Sequence, residues 1–278
     1  MNDDCDAILL GNIKLNFLAF ADDIVLLSRT SKGLQTSLNL FEKYCIKWRL
    51  SVNMTKTKLM LFNASNNNHK FYFAGIRIIE TKEYSYLGIV FKKNGCLKTA
   101  IAKLNSKALK AQFSIKQNMY NANPSVLLKL YDTLIKPISL YGVEVWNLHA
   151  INWKDKTLND LMMEDNFLFE NIHNRFCKHI LKVNKSCTNM LVKGELGRYP
   201  LFINVCISIL KCWIHARKSP KDSLIYIATS SETNEQCNDN NNVSYANIVQ
   251  KIIGKSIDFD NLYSTKINSK LFLMLKSP

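Results

Sequence analysis

The chain has 278 residues, 47% of them hydrophobic and 21% charged, which is the composition of a protein that folds around a core. Its net charge of +15 favours a polyanionic partner. Eight cysteines include no Cys-x-x-Cys pair, a pattern typical of a reducing compartment and not of a disulfide framework. With no signal peptide and no apolar run that spans a bilayer, we expect an intracellular protein, nuclear or cytoplasmic, without a membrane partner.

Short apolar runs separated by turn residues open the chain. Two of them, joined at Gly11-Asn12, predict a first hairpin. A second hairpin has Asp22 and Asp23 at its tip. Strand interiors are depleted in Asp, and a buried carboxylate is costly unless it is paired or binds a metal. We therefore interpret this pair as ligands of a divalent cation, with an ordinary solvent-facing turn as the alternative.

The rest of the chain changes from mixed structure to helices. Apolar residues three to four apart over 34–48 predict an amphipathic helix that begins near Ser31. One helix on several antiparallel strands is an α+β arrangement. Further strands are predicted at 59–62, 71–79 and 84–91. Further helices are predicted at 97–119, 125–139, 158–181 and 202–217, and an Asn-rich loop at 232–243.

The paired aspartates and the basic charge suit one chemistry in particular. Two divalent cations about 3.5–4 Å apart activate a 3′-hydroxyl and stabilise a leaving pyrophosphate. Mg²⁺ in such sites is held by few carboxylates and by substrate phosphates. Asp22 and Asp23 therefore predict phosphoryl transfer on nucleic acid.

A row of lysines follows on the first long helix of the second half. Between Tyr84 and Tyr131 the chain has eight lysines and no Asp or Glu. Lys103, Lys107 and Lys110, here called the lysine row, share one helix face about 110° from the apolar stripe. We interpret them as phosphate contacts, which hold a backbone without reading its sequence. The alternative is a solvated helix face.

Three short motifs follow one another over residues 20–88. They are Phe20-Ala21-Asp22-Asp23, a (hydrophobic)-Asn-x-x-Lys-Thr-Lys pattern at 52–58, and Tyr-Leu-Gly at 86–88. In order and spacing they resemble the catalytic aspartate box, the following palm motif and the primer grip of reverse transcriptases, with flanks similar to those of non-LTR retrotransposons. The resemblance covers roughly residues 1–92, and weaker likenesses at 140–146 and 194–201 extend it to about residue 220.

The resemblance implies catalytic roles for Asp22, Asp23 and Lys56, and a primer contact for Phe20. Asp22 would be the metal-binding carboxylate and Asp23 its neighbour in the pair. Phe20 would pack beneath the primer terminus. Lys56 would lie near the leaving pyrophosphate as a general acid, with a solvated lysine after a turn as the alternative. Mg²⁺ or Mn²⁺ would be the cofactor and deoxynucleoside triphosphates the substrates.

The resemblance also implies residues that hold nucleic acid. Tyr86, Leu87 and Gly88 would form the primer grip, in which Gly88 allows a close backbone approach. The alternative for Leu87 is a place in the core. The lysine row would belong to the thumb, which grips the RNA and DNA of the template–primer duplex. Asn53, in the palm motif, we expect to cap or turn the chain.

This comparison predicts the domain organisation and a missing part. We expect a partial palm at 1–92, a helical thumb and C-terminal region at 93–227, a linker at 228–243 and a short segment at 244–278. The family's first catalytic aspartate lies on an earlier strand that nothing before Phe20 resembles. We therefore expect the C-terminal part of a truncated polymerase, inactive unless the missing palm is supplied.

Two other functions stay open. The first is a nucleic-acid-binding fragment that performs no chemistry. The second is a metal-dependent sugar-nucleotide enzyme, a class that typically places one residue between two aspartates. The adjacency of Asp22 and Asp23 and the lysine row argue against this second alternative.

Overall fold

The computed structural model describes residues 6–62, 69–119, 121–231 and 245–254. The chain divides into two compact units, Met1–Cys96 and Leu97–Pro278. Strands occupy the described part of the first unit together with one long helix, and helices make up the second. The predicted α+β class is confirmed.

Short strands of the first unit pair as separate two-stranded ribbons. One pair is parallel, β5 (Lys58–Leu59) with β8 (Ile79–Glu80). The other described pairs are antiparallel hairpins, namely β1 (Ile8–Leu10) with β2 (Ile13–Leu15), β3 (Phe17–Phe20) with β4 (Asp23–Leu26), β6 (Tyr72–Phe73) with β7 (Ile76–Arg77), and β9 (Glu83–Tyr86) with β10 (Ile89–Lys92). The predicted hairpins at Gly11-Asn12 and at Asp22-Asp23 are both present.

Helix α1 (Ser31–Trp48) contacts two of these ribbons. The Thr30 hydroxyl caps its start by accepting from the Gly33 amide at 3.2 Å, which confirms the predicted beginning. Its apolar face packs on β4 and β6. The buried residues around it are Leu38, Cys45, Leu59, Phe71, Phe73 and Ile78. Trp48, predicted to end the apolar stripe, is 59% exposed because the helix stops there, at a left-handed Arg49.

Two predicted strands are hairpins. The prediction at 71–79 is interrupted by Ala74-Gly75, with φ of 48° and 73°, and the prediction at 84–91 by Leu87-Gly88, with φ of 47° and 80°. Positive φ at both central residues is the type I′ turn, whose twist matches that of the strands it joins. Such a turn takes up only two residues, so the apolar pattern continues across it and resembles one long strand.

The second unit is helical over its described residues. The helices are α2 (Lys98–Asn118), α3 (Pro124–Leu130), α4 (Lys136–Ser139), α5 (Val143–Ala150), α6 (Leu158–Met162), α7 (Leu168–Ile180), α8 (Asn189–Glu195), α9 (Phe202–Lys218), α10 (Leu224–Ser231) and α11 (Tyr245–Ile253). Helix α2 packs on α4, α5 and α7, and α9 packs on α5, α6, α10 and α11. None of the helices in the described ranges is both long and apolar enough to cross a bilayer.

Three helix predictions are refined by the structure. The predicted apolar stripe of α2 is buried, except that Ala111 is half-buried and Met119 lies past the helix end and is exposed. The prediction at 125–139 contains a π-helical turn, Tyr131–Ile135, just before Pro137, whose ring nitrogen has no hydrogen to donate in a regular helix. The prediction at 158–181 is two helices, α6 and α7. The predicted loop at 232–243 and residues 255–278 lie outside the described residues.

Candidate active site

Asp22 and Asp23 lie at the tip of the β3–β4 hairpin. Phe20 pairs with Asp23 across it, so Ala21 and Asp22 are the two turn residues. Ala21 has φ of 52°, whereas Asp22 is outside the positive-φ region. This combination is that of a type II′ turn, where glycine is the favoured first residue. The hairpin therefore holds its tip in a conformation that is strained for alanine.

Both aspartate side chains are exposed, and Phe20 opposite them is 63% exposed. Neither carboxylate has a side-chain hydrogen bond or an ion pair with another described residue, so both can bind a cation. Within the described ranges, no group of three or more His, Cys, Asp or Glu side chains could hold a metal. The hairpin thus supplies at most two carboxylate ligands, which is the sparse, all-oxygen set that suits Mg²⁺ when substrate phosphates complete it.

Lys56 lies in a turn that Asn53 builds. The Asn53 side-chain oxygen accepts from the Thr55 amide at 3.1 Å, the Thr55 hydroxyl at 2.6 Å and the Lys56 amide at 3.2 Å. This geometry confirms Asn53 as a turn residue. The Lys56 side chain is exposed, and its backbone carbonyl accepts from the Tyr84 hydroxyl at 3.4 Å. The Lys56 turn and the β9–β10 hairpin therefore touch.

The predicted primer-grip residues form the tip of that second hairpin. Tyr86 ends β9 and is half-buried, and Leu87 and Gly88 are the turn. Leu87 is 37% exposed, so its alternative as a core residue is wrong. Leu87 has a left-handed backbone conformation at the turn, and its apolar side chain is exposed there and not packed in the core. Contact with a primer stays a prediction.

The lysine row lies on the surface of α2. Lys103, Lys107 and Lys110 are all exposed, while Leu104 and Ala108 between them are buried. The exposed row is accessible to a phosphate backbone. The same exposure is also expected of a helix face that contacts only solvent. Its role stays a prediction.

A buried polar network in the second unit was missed by sequence reasoning. The Glu170 carboxylate, 1% exposed, accepts from the Leu201 amide at 2.7 Å and from Lys193 Nζ at 3.1 Å. Its Oε1 lies 3.4 Å from Nδ1 of His173, which is fully buried. Arg198 then joins His173 to Asp132. Apart from Glu170 and His173, which are three residues apart on α7, the partners are far apart along the chain, so no local spacing reveals them. The likeness noted at 194–201 was the one available signal, since Arg198 and Leu201 belong to it.

The charges of this network follow from burial and pairing. Burial alone would raise the pKa of Glu170, but hydrogen bonding to His173 and the charge of Lys193 outweigh it and lower the pKa. Burial lowers the pKa of His173 although Glu170 opposes the shift. For Asp132, hydrogen bonds from Arg198 and Lys136 overcome the effect of burial and lower the pKa to about 2. Both carboxylates are therefore ionised and His173 is neutral at pH 7.

Comparison with known proteins shows what the segment around the Asp22-Asp23 hairpin is similar to. Residues 2–91 match the family model of the reverse transcriptase (RNA-dependent DNA polymerase). The chain is 25% identical over 143 residues to the RNA-directed DNA polymerase from mobile element jockey of Drosophila funebris, covering 47% of this chain and 15% of that protein. It is 28% identical over 141 residues to a transposon-derived protein of Caenorhabditis elegans, covering 49% of this chain and 50% of that one.

The matched region thus spans half or less of the length of these curated relatives. No solved structure matches the chain. The hairpin with its paired aspartates, the family match around it and the similarity to mobile-element proteins agree with one another. The chain is therefore similar to reverse transcriptases of mobile elements, with residues 2–91 as the part that matches the family model.

Proposed function

We propose that this chain is part of the RNA-directed DNA polymerase of a non-LTR retrotransposon and that Asp22 and Asp23 are its metal-binding carboxylates. The observation that carries the proposal is the β3–β4 hairpin. It presents two exposed adjacent carboxylates at a strained two-residue turn, inside the segment that matches the reverse transcriptase family. A plain hairpin needs neither the strain nor the charges.

The donor chemistry of the hairpin fits Mg²⁺ or Mn²⁺. Both ions prefer carboxylate and phosphate oxygen, and both need few protein ligands when a nucleotide is bound. A bound ion of this kind would supply Lewis-acid activation of a 3′-hydroxyl. Asp22 and Asp23 hold the ion, and Phe20, exposed and opposite Asp23, offers an apolar surface to a primer terminus.

Lys56 and the tip of the β9–β10 hairpin contact the leaving group and the nucleic acid in this proposal. In this proposal the Lys56 ammonium neutralises the pyrophosphate and donates a proton to it. Tyr86, Leu87 and Gly88 contact the primer from the tip of β9–β10. The hydrogen bond from the Tyr84 hydroxyl to the Lys56 carbonyl supports this grouping, because it joins the turn that carries Lys56 to the β9–β10 hairpin.

The lysine row completes the proposal as a duplex contact of the thumb. Its three exposed ammonium groups lie along one face of α2, with spacing that lets them follow a phosphate backbone. Template RNA and DNA are then the partners, in the nucleus or the cytoplasm.

A narrower function is proposed for the 278-residue polypeptide by itself. Two-metal catalysis uses carboxylates from more than one strand. Among the residues that the structure describes, Asp22 and Asp23 are not joined by a third His, Cys, Asp or Glu. The polypeptide alone therefore binds nucleic acid without polymerising, unless a further palm segment supplies the missing carboxylate.

Binding of an RNA–DNA hybrid as a function of salt tests the proposal. The triple variant K103Q/K107Q/K110Q should bind more weakly, and the slope of log affinity against log salt should become less steep by roughly two to three, since each phosphate contact releases about 0.7–0.9 counterion. The control is K211Q/K218Q/K221Q, which removes three exposed lysines elsewhere in the same unit. Equal slopes in the two variants would refute the thumb contact.

A further inference from the structure

A basic cavity of about 690 Å³ lies beside α7 in the second unit. Four of its lining residues recur along α7 at intervals of three and four and so share one face, namely Asn171, Asn174, Arg175 and Lys178. Lys116 of α2 contributes another side, Lys185 comes from the segment after α7, and Asn189 is the first residue of α8. The cavity is thus built from four parts of one packed unit.

Positive charge dominates this lining. Lys116, Arg175, Lys178 and Lys185 are cationic, and no carboxylate lines the cavity. Lys178 Nζ donates to the Lys185 carbonyl at 2.7 Å, which holds these two residues together without neutralising either. Burial and the charge of Arg175 lower the pKa of Lys116. The cations therefore repel one another, and an anion in the cavity would relieve that repulsion.

One carboxylate outside the lining contacts two of its amides. Asp165 accepts from the side-chain amides of Asn174 at 2.9 Å and Asn189 at 2.8 Å, and from Lys193 Nζ at 3.3 Å. It fixes the two lining amides in place, and its ion-pair partner is Lys193, which it shares with Glu170. The cavity wall is therefore preorganised, and among the described residues none of its four cations forms an ion pair with Asp165.

The cavity is separate from the lysine row. At about 100° per residue, Lys103, Lys107 and Lys110 fall within about 60° of one another around α2, and Lys116 lies about 150° away from their centre. Helix α2 thus carries the row on one side and a wall of the cavity on the other. A duplex that rests on the row does not reach the cavity from that same face.

We propose that this cavity is a second phosphate-binding site, which takes the phosphate group of a single nucleotide unit, within a single strand or free. A concave site of this volume matches small-ligand pockets, whereas the phosphates of a duplex lie on a convex surface. The inference rests on the proposed function only in naming nucleotides as the source of the phosphate.

The test uses the full chain and the double variant R175Q/K185Q. Both side chains are exposed, so the fold should persist, as circular dichroism would verify. Lys116 is kept, because the side-chain oxygen of Gln112 accepts from its Nζ at 3.2 Å in the amide orientation that satisfies both the oxygen and the nitrogen of Gln112. The control K211Q/K218Q removes the same charge from α9. A labelled single-stranded RNA should bind about tenfold more weakly to R175Q/K185Q, but not to the control.

Two further arms separate the source of the phosphate. Inorganic phosphate and adenosine monophosphate are titrated while the imidazole signals of His179, which lines the cavity, are followed by NMR. Tighter binding of the strand than of either small molecule assigns the site to a strand, and equal affinities of strand and mononucleotide assign it to free nucleotides.

The proposal is overturned if neither probe shifts His179, or if R175Q/K185Q and the control weaken RNA binding equally. Its failure is distinguishable from failure of the thumb contact. R175Q/K185Q should leave hybrid binding within about twofold, and the lysine-row variant should change it. If the lysine-row variant changes the salt slope of hybrid binding while the His179 signals do not shift, only the second phosphate site is refuted.

Discussion

Arg198 and Asp132 meet in a two-bond fork although 66 residues separate them. Arg198 Nη1 donates to Asp132 Oδ2 and Nη2 to Oδ1, both at 2.7 Å. Lys136 Nζ lies 2.9 Å from the same carboxylate. A guanidinium matches a carboxylate in this planar way, and a lysine does not. The fork joins the π-helical turn at Tyr131–Ile135 to the segment that follows α8.

The fork predicts a stability difference between two substitutions. Arg198→Met should lower the free energy of unfolding by about 2–3 kcal/mol, because it leaves a partly buried carboxylate with Lys136 alone. Arg198→Lys should lower it by about half as much. Urea denaturation of the full chain measures both. As a control, Lys93→Met breaks the more exposed pair with Glu80 and should cost less than about 1 kcal/mol. Equal losses at both sites would contradict the structure.

His173 predicts a pH dependence of stability near neutrality. Burial lowers the pKa of His173 in the folded chain, so the unfolded chain binds more protons in the window just below pH 6.5. The stabilisation is present above that pH and is lost as the pH falls. The urea midpoint should therefore decrease between pH 7.5 and 5.5. His173→Gln should flatten this decrease, and His215→Gln, at an exposed position, should not.

Ala21 predicts that glycine is the better residue at the aspartate hairpin. Ala21 and Gly11 occupy the same first position of two-residue turns, with φ of 52° and 56°. Ala21→Gly should stabilise the first unit by up to about 1 kcal/mol, and Gly11→Ala should destabilise it by about as much. Thermal melting measures both changes. A destabilising Ala21→Gly or a stabilising Gly11→Ala would mean that the turn geometry is different.

The polypeptide alone should not extend a primer. Among the described residues no third His, Cys, Asp or Glu joins Asp22 and Asp23, so under the proposed function we expect no product on an RNA template with Mg²⁺ or Mn²⁺. Template-dependent extension that Asp22→Ala abolishes would show that the polypeptide alone is sufficient for catalysis. Extension that Asp22→Ala leaves unchanged would indicate a contaminating polymerase.

Local patterns predicted local structure. The period of apolar residues located α1, and the apolar runs around Asp22-Asp23 located its hairpin. The Leu87-Gly88 turn was missed because its first residue is apolar and the type I′ turn leaves the alternation intact. The network around Glu170 was missed for another reason. Its members lie on α7, on α8, in the segment after α8 and in the π-helical turn at Tyr131–Ile135, and packing brings these parts together.

The Arg198–Asp132 fork has a consequence for how the second unit responds to cleavage. It joins the two ends of the stretch from Asp132 to Arg198 by hydrogen bonds, without a covalent link. A protease that cuts between α6 and α7 would therefore leave both fragments in one particle, held by the fork and by the core around α9. Such a nicked molecule should migrate as intact protein on a sizing column and separate only in denaturant.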